Sequence, residues 1–242
     1  MIIEDENLNI EFETTEEENF IKACDLCSKK LTREELFQYL KTGNLPERQY
    51  ASLEIDSIET QEEAEILINN LTGCDGKIRE AVAFRLSELL PKYKEFFAIY
   101  PNIFANATID INANISRMVI DFLSSFENNP DFTKPYLNSI TQIIDEAIKT
   151  YDGFIFRDKK YTINKQLFKI YWCLEGIYLF FKDIDIETLK PILEYCIKIP
   201  EYTIREKVAM ILSRNNLPTE LVQLKQILAN DPNYYVKNQL KH

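Results

Sequence analysis

At 242 residues, 45% hydrophobic and 28% charged, the chain is long enough to bury a sizeable core in one large domain or one continuous repeat array. Five glycines and nine prolines are too few for a strand-rich protein of many tight turns, and no apolar run approaches the length of a membrane span. Composition therefore points to an all-α protein outside the membrane, and a net charge of −11 tells against nucleic acid as its main partner.

That charge is concentrated at one end. Eight of the 39 acids (Glu4, Asp5, Glu6, Glu11, Glu13, Glu16, Glu17 and Glu18) fall in residues 1–20, which hold no base, so the rest of the chain has 31 acids against 28 bases. Residues 1–15 read as an acidic leader, and 16–242 as a single helical domain. Acids stand where a secretory signal needs bases, and the five scattered cysteines (Cys24, Cys27, Cys74, Cys173, Cys196) make a disulfide framework improbable, so the expected setting is cytoplasmic. Cys24-x-x-Cys27 lacks the two further ligands a structural zinc requires and reads as two cysteines on one helix face.

In chain order, the first helix is expected over about 16–29 with Phe20, Ile21, Cys24 and Cys27 inward. A second starts at the capping box Thr32–Glu35 and ends near Gly43, and the two make a hairpin. Residues 44–58, with Pro46 and mixed polarity, read as a connector. Thr60 and Glu63 box the next helix, which carries Ala64, Ile66, Leu67 and Leu71 up to Gly73, and Asp75 caps the one after it.

That following segment, Ile78-Arg79-Glu80-Ala81-Val82-Ala83-Phe84-Arg85-Leu86, resembles the second helix of a HEAT repeat, with Val82 one place beyond the usual alanine. A related string returns at Ile204-Arg205-Glu206-Lys207-Val208-Ala209-Met210-Ile211-Leu212, keeping Ile, Arg, Glu, Val, Ala and Leu in step. Leu221, Val222, Leu224, Ile227 and Leu228, followed by Asp231-Pro232, Val236-Lys237 and Leu240, look like a first helix, turn and second-helix start. In that reading Asp231 caps and Pro232 takes the first helical position. Leu189 to Glu194, with Pro191, is similar to a first helix of the same family. Ile115, Val119, Leu123 and Phe126, and Ile170, Leu174, Tyr178 and Phe181, repeat the apolar spacing alone, Arg117 falling one place late. The resemblance implies a right-handed α-solenoid of stacked antiparallel hairpins, with irregular repeats and a lengthened hairpin or hinge over 127–165, where Pro130, Pro135 and Gly153 lie.

Catalytic chemistry is poorly supplied. The sole histidine is His242, and the glycines (Gly43, Gly73, Gly76, Gly153, Gly176) form no phosphate-binding loop. Acidic pairs such as Asp145 and Glu146 read as solvated helix faces, and no metal or other cofactor is expected. Arg157, Lys159, Lys160, Lys165 and Lys169 form a local basic stretch that reads as a solvated helix start. Tyr171, Trp172, Tyr178, Phe180 and Phe181 share a helix with Gly176. They are either an aromatic groove for a peptide or a buried helix with Gly176 allowing close packing, Trp172 and Phe180 being the candidates for exposure.

The expected function is a non-catalytic scaffold that binds another protein or peptide on the concave face. The resemblance implies that second helices line that face, with Arg79, Arg205 and Lys237 as contacts or, alternatively, as inter-repeat ties to acids. The alternatives are HEAT-like enzymes: a DNA alkylpurine glycosylase, for which Trp172 with Glu175 is the available pair, or a tetrapyrrole lyase of the phycobiliprotein type.

Overall fold

The structure, a computed structural model, describes residues 16–153 and 160–241. The acidic leader 1–15, Arg157, Lys159 and His242 lie outside the described residues. Within them the chain is all helical, with thirteen α-helices, three short 3-10 turns and no strand. No described helix is long and apolar enough to cross a membrane. The chain divides into two compact units, Met1–Phe126 and Glu127–His242, the division falling at the start of the 127–165 segment.

The first unit holds α1 (Glu16–Cys27), α2 (Arg33–Thr42), α3 (Leu45–Glu54), α4 (Gln61–Ile68), α5 (Gly76–Phe97), α6 (Pro101–Thr108) and α7 (Ala113–Leu123). Local chemistry fixes most of their starts. Thr32 and Glu35, and Thr60 and Glu63, form the reciprocal capping boxes that the sequence announces, and Asp75 accepts the Lys77 N–H at the head of α5. α2, α4 and α6 pair with α3, α5 and α7, and the second members touch in succession, α3 with α5 and α5 with α7. The stripe Ile78, Val82, Leu86 and Leu89 is buried, as is Ile115, Val119, Leu123 and Phe126. Burying each such Leu or Ile contributes roughly 1.5 to 3 kcal/mol.

Three sequence expectations are corrected here. Residues 44–58 are not a connector, because α3 occupies 45–54. Asn44 and Glu47 form a third capping box, and Pro46 sits in the first turn, where a missing N–H costs nothing. α3, not α1, is therefore the hairpin partner of α2, and α1 packs against α3. Lys22 of α1 is ion-paired with Glu47 of α3 at 3.0 Å and Leu26 is wholly buried, while Phe20, Ile21, Cys24 and Cys27 are exposed.

The second unit holds α8 (Pro130–Gly153), α9 (Lys160–Leu179), α10 (Ile186–Cys196), α11 (Tyr202–Leu212), α12 (Val222–Ala229) and α13 (Tyr234–Gln239). α8 pairs with α9, α10 with α11 and α12 with α13, and the second members again touch in succession, α9 with α11 and α11 with α13. The long α8–α9 pair is what the prolines of the 127–165 segment leave intact: Pro130 opens α8 and Pro135 lies within its first two turns. α13 begins two residues later than the Asp231-Pro232 pattern suggests. Asn233, not Asp231, caps it, accepting the Tyr235 N–H at 2.8 Å, while the Asp231 carboxylate accepts from the Asn233 N–H and from Arg205.

Candidate functional site

The fourth residue of four second helices is basic: Arg48 in α3, Arg79 in α5, Arg205 in α11 and Lys237 in α13. The first three point into the turn of the following helix pair. Arg79 grips Asp110 through Nε (2.6 Å) and Nη2 (3.1 Å) and donates its Nη1 to the Cys74 carbonyl. Arg205 grips Asp231 in the same fork, at 2.7 and 3.3 Å, and donates Nη1 to the carbonyls of Ile199 and Pro200. Each aspartate also accepts the N–H of the asparagine two residues on, Asn112 or Asn233, which caps the next helix. Arg48 bonds the buried Asn70 instead.

These arginines are thus fasteners between helix pairs, and Arg79 and Arg205 are not free on a surface. Both Arg79–Asp110 side chains are at most 9% exposed. Burial works to lower the Arg79 pKa, and the Asp110 hydrogen bonds and charge outweigh it, so the net shift is upward. Burial likewise works to raise Asp231, but hydrogen bonds from Arg205 and the Asn233 N–H, with the charges of Arg205 and Lys237, hold it below the usual carboxylate range. Lys237 is half-buried beside this pair.

Of the five aromatic residues expected on one helix, Tyr171, Trp172 and Tyr178 lie in α9, and Phe180 and Phe181 fall in the turn that follows it. Trp172 is 8% exposed, edge-on to Phe168 and Tyr171, and Phe180 is 3% exposed, edge-on to Phe132 and Tyr136 of α8. Neither is available as a surface contact. Gly176 is the close-approach point: a Cβ there would lie 2.5 Å from the Tyr136 hydroxyl. Tyr178 and Phe181 are covered by the Arg214 guanidinium, 4.1 and 5.6 Å from their ring centres. Glu175 is ion-paired with Lys207 of α11, so Trp172 and Glu175 do not open onto a cleft as a glycosylase pair would. Burial works to lower the Lys207 pKa and is outweighed by Glu175 and Tyr171, which raise it.

An open site does exist in the first unit, on the outer edge of its second helices. A groove of about 540 Å³ is lined by Gln49 and Leu53 of α3, Lys77, Glu80, Ala81 and Phe84 of α5, and Asn114, Arg117 and Met118 of α7. The positions recur every three to four residues on each helix, so each helix contributes one edge. Phe84 is 48% and Leu53 36% exposed, giving an apolar floor with Met118, while Lys77, Glu80 and Arg117 form a charged rim. None of those three side chains has an ion pair or hydrogen bond among the described residues.

The same positions in the second unit are closed. In the shared α5/α11 pattern Glu80, Ala81 and Phe84 correspond to Glu206, Lys207 and Met210. There Lys207 crosses to Glu175 of α9, lies 5.0 Å over the Tyr171 ring and 3.7 Å from the Met210 sulfur, and Glu206 accepts from Gln239 of α13 at 3.1 Å. Where the second unit has polar cross-links, the first has a methyl group and an exposed ring.

The nine groove residues include no histidine, cysteine or facing carboxylates, so the arrangement suits binding by apolar contact and charge. Among the described residues no group of three metal-ligating side chains is found. Sequence reasoning missed this groove because its residues come from positions 49 to 118. The readable signal was Phe84, an aromatic side chain on the polar face of α5.

No family model matches the sequence, and no curated protein matches it. Among solved structures, the crystal structure of an engineered protein is similar at 11% identity over 86% of this chain and 93% of that chain, with a TM-score of 0.44, a likeness too distant to bear on fold or function.

Proposed function

We propose that this chain is a non-catalytic protein-interaction scaffold built of HEAT-like helical hairpins stacked as a right-handed α-solenoid, and that a protein or peptide partner docks in the α3–α5–α7 groove of the first unit. The observation that carries the reading is the contrast at matched positions: the outer edge of the second helices is cross-linked in the second unit and open, apolar-floored and unpaired at its charges in the first. Support for the repeat reading comes from the successive pairing of second helices and from the recurrent arginine fork on the next turn. Free cysteines throughout the described residues suit a cytoplasmic setting.

The test is site-specific photo-crosslinking in the source cell lysate, with a benzophenone amino acid at Phe84 or, as control, at the exposed Ile227 of α12. A discrete protein adduct from position 84, absent from 227 and lost when Met118→Glu is added, supports the reading. Equal adducts from both positions, or none from 84, refute it.

A further inference from the structure

We propose that the segment the groove takes is a single amphipathic α-helix that brings carboxylates to Lys77 and Arg117. This inference rests on the groove being a binding face at all.

The argument begins with what the surface offers. Adding a strand needs a free sheet edge, and the groove is made wholly of helix. A polyproline segment needs an aromatic-lined channel, and Phe84 is the single aromatic among the nine lining residues. What remains is a helix laying one apolar stripe against Leu53, Phe84 and Met118, side chains from three neighbouring helices. Two of these, leucine and methionine, adapt readily to a facing ridge.

Charge then restricts the partner. Lys77 and Arg117 stand on adjacent helices with no ionic partner among the described residues, and Glu80 is the sole anion of the rim. A docked helix bearing acids meets two cations; one bearing bases meets two like charges and a single carboxylate. Lys77 and Phe84 are seven residues apart on α5, roughly 10 Å at 1.5 Å per residue. The facing helix therefore needs its acid about two turns from the apolar residue that covers Phe84. Glu80, between them, repels an acid placed one turn out of step, so the rim selects register as well as sign.

The test uses the full chain and two fluorescein-labelled alanine-based helices of about 18 residues. Both carry leucines at i, i+3, i+4 and i+7, and they differ only in glutamates or lysines flanking the stripe. By fluorescence anisotropy at low salt, the glutamate probe is expected to bind about tenfold more tightly than the lysine probe. Lys77→Glu combined with Arg117→Glu should reverse that preference, and Phe84→Ala should weaken both probes with unchanged circular dichroism. Equal binding of the two probes, or a preference the charge swap leaves standing, overturns the proposal. So does a crosslink from position 84 to a second copy of the chain or to its own residues 1–15. If neither probe binds while position 84 still crosslinks a partner, this inference fails and the scaffold reading survives; if position 84 crosslinks nothing either, both fail.

Discussion

Gly176→Ala would test the packing that makes α9 a core helix. On helix propensity alone the change favours folding by about 1 kcal/mol. In place, however, the new methyl would lie 2.5 Å from the Tyr136 hydroxyl oxygen, 3.2 Å from Cζ and 3.3 Å from Cε1. Reaching ordinary contact requires the ring to retreat by roughly 1 Å. It has no room to do so: Tyr136 is wholly buried, stacked on Phe132 at 5.9 Å and edge-on to Phe180 at 5.4 Å. Overpacking of this kind costs about 1 to 3 kcal/mol, so the expected net effect is a loss of about 1 kcal/mol despite the better helix former.

The chain carries its own reporter for this. Trp172 is the sole tryptophan, is buried, and lies one turn before Gly176 on α9, so its fluorescence during urea unfolding follows the second unit. Tyr136→Phe removes the closest atom and leaves Cζ at 3.2 Å, a contact small shifts can relieve. The double variant should therefore be more stable than the sum of the single changes by about 1 kcal/mol. A raised urea midpoint for Gly176→Ala, or strict additivity with Tyr136→Phe, would refute the close-approach account.

Arg205→Met should lower the stability of the second unit by about 3 to 5 kcal/mol, read from the same fluorescence, because it strands the buried Asp231 carboxylate and removes the donor from two carbonyls. The Asp231 pKa is depressed below its ordinary 3.8, so its contribution is fully present above that value and is lost as pH falls through the depressed one. The urea midpoint should accordingly drop as pH falls below that ordinary value, and less steeply in Asp231→Asn. Under native conditions iodoacetamide should alkylate the exposed Cys24 and Cys27 and spare Cys173 and Cys196, whose thiols burial pushes up, Cys196 to about 12. Peptide mass spectrometry showing Cys173 labelled as fast as Cys24 would contradict its placement in the core.

What could be read from the sequence was what short-range chemistry controls. The boxes at Thr32–Glu35 and Thr60–Glu63 and the stripe Ile78, Val82, Leu86 and Leu89 depend on residues within a few positions of one another. One miss was itself local; the others involve partners distant in the chain. Pro46 reads as a break unless Asn44 is recognised as a cap, which places the proline in the first turn. The apolar side chains of α1 invite an inward assignment, yet α1 packs against α3 with Leu26 buried and Phe20 and Ile21 exposed. Asp231 does accept a backbone N–H, that of Asn233, and Arg205, 26 residues earlier, also holds its carboxylate, but the helix starts only after Asn233. Arg79 and Arg205 were legible as recurring residues. Their alternative reading, ties to acids of the next turn, is the one the geometry supports, while Trp172 and Phe180 are buried against neighbouring aromatic rings.

A buried arginine fork also leaves positions beside it that the stacking of helix pairs does not use. Once Arg79 or Arg205 fixes the start of its helix to the following turn, the residues one, two and five places further on have no part in that tie. In the second unit they are Glu206, Lys207 and Met210: Glu206 is joined to α13, Lys207 to α9, and Met210 to Lys207 within α11. In the first unit they are Glu80, Ala81 and Phe84, and among the described residues nothing pairs with the carboxylate and the ring stays half exposed. An aromatic side chain left half in water beside unpaired charges gives up burial that its own helix stack could have provided. A second chain can recover it. The stacking chemistry is thus shared by the two units, and the proposed capacity to bind rests on the few outward positions where they differ.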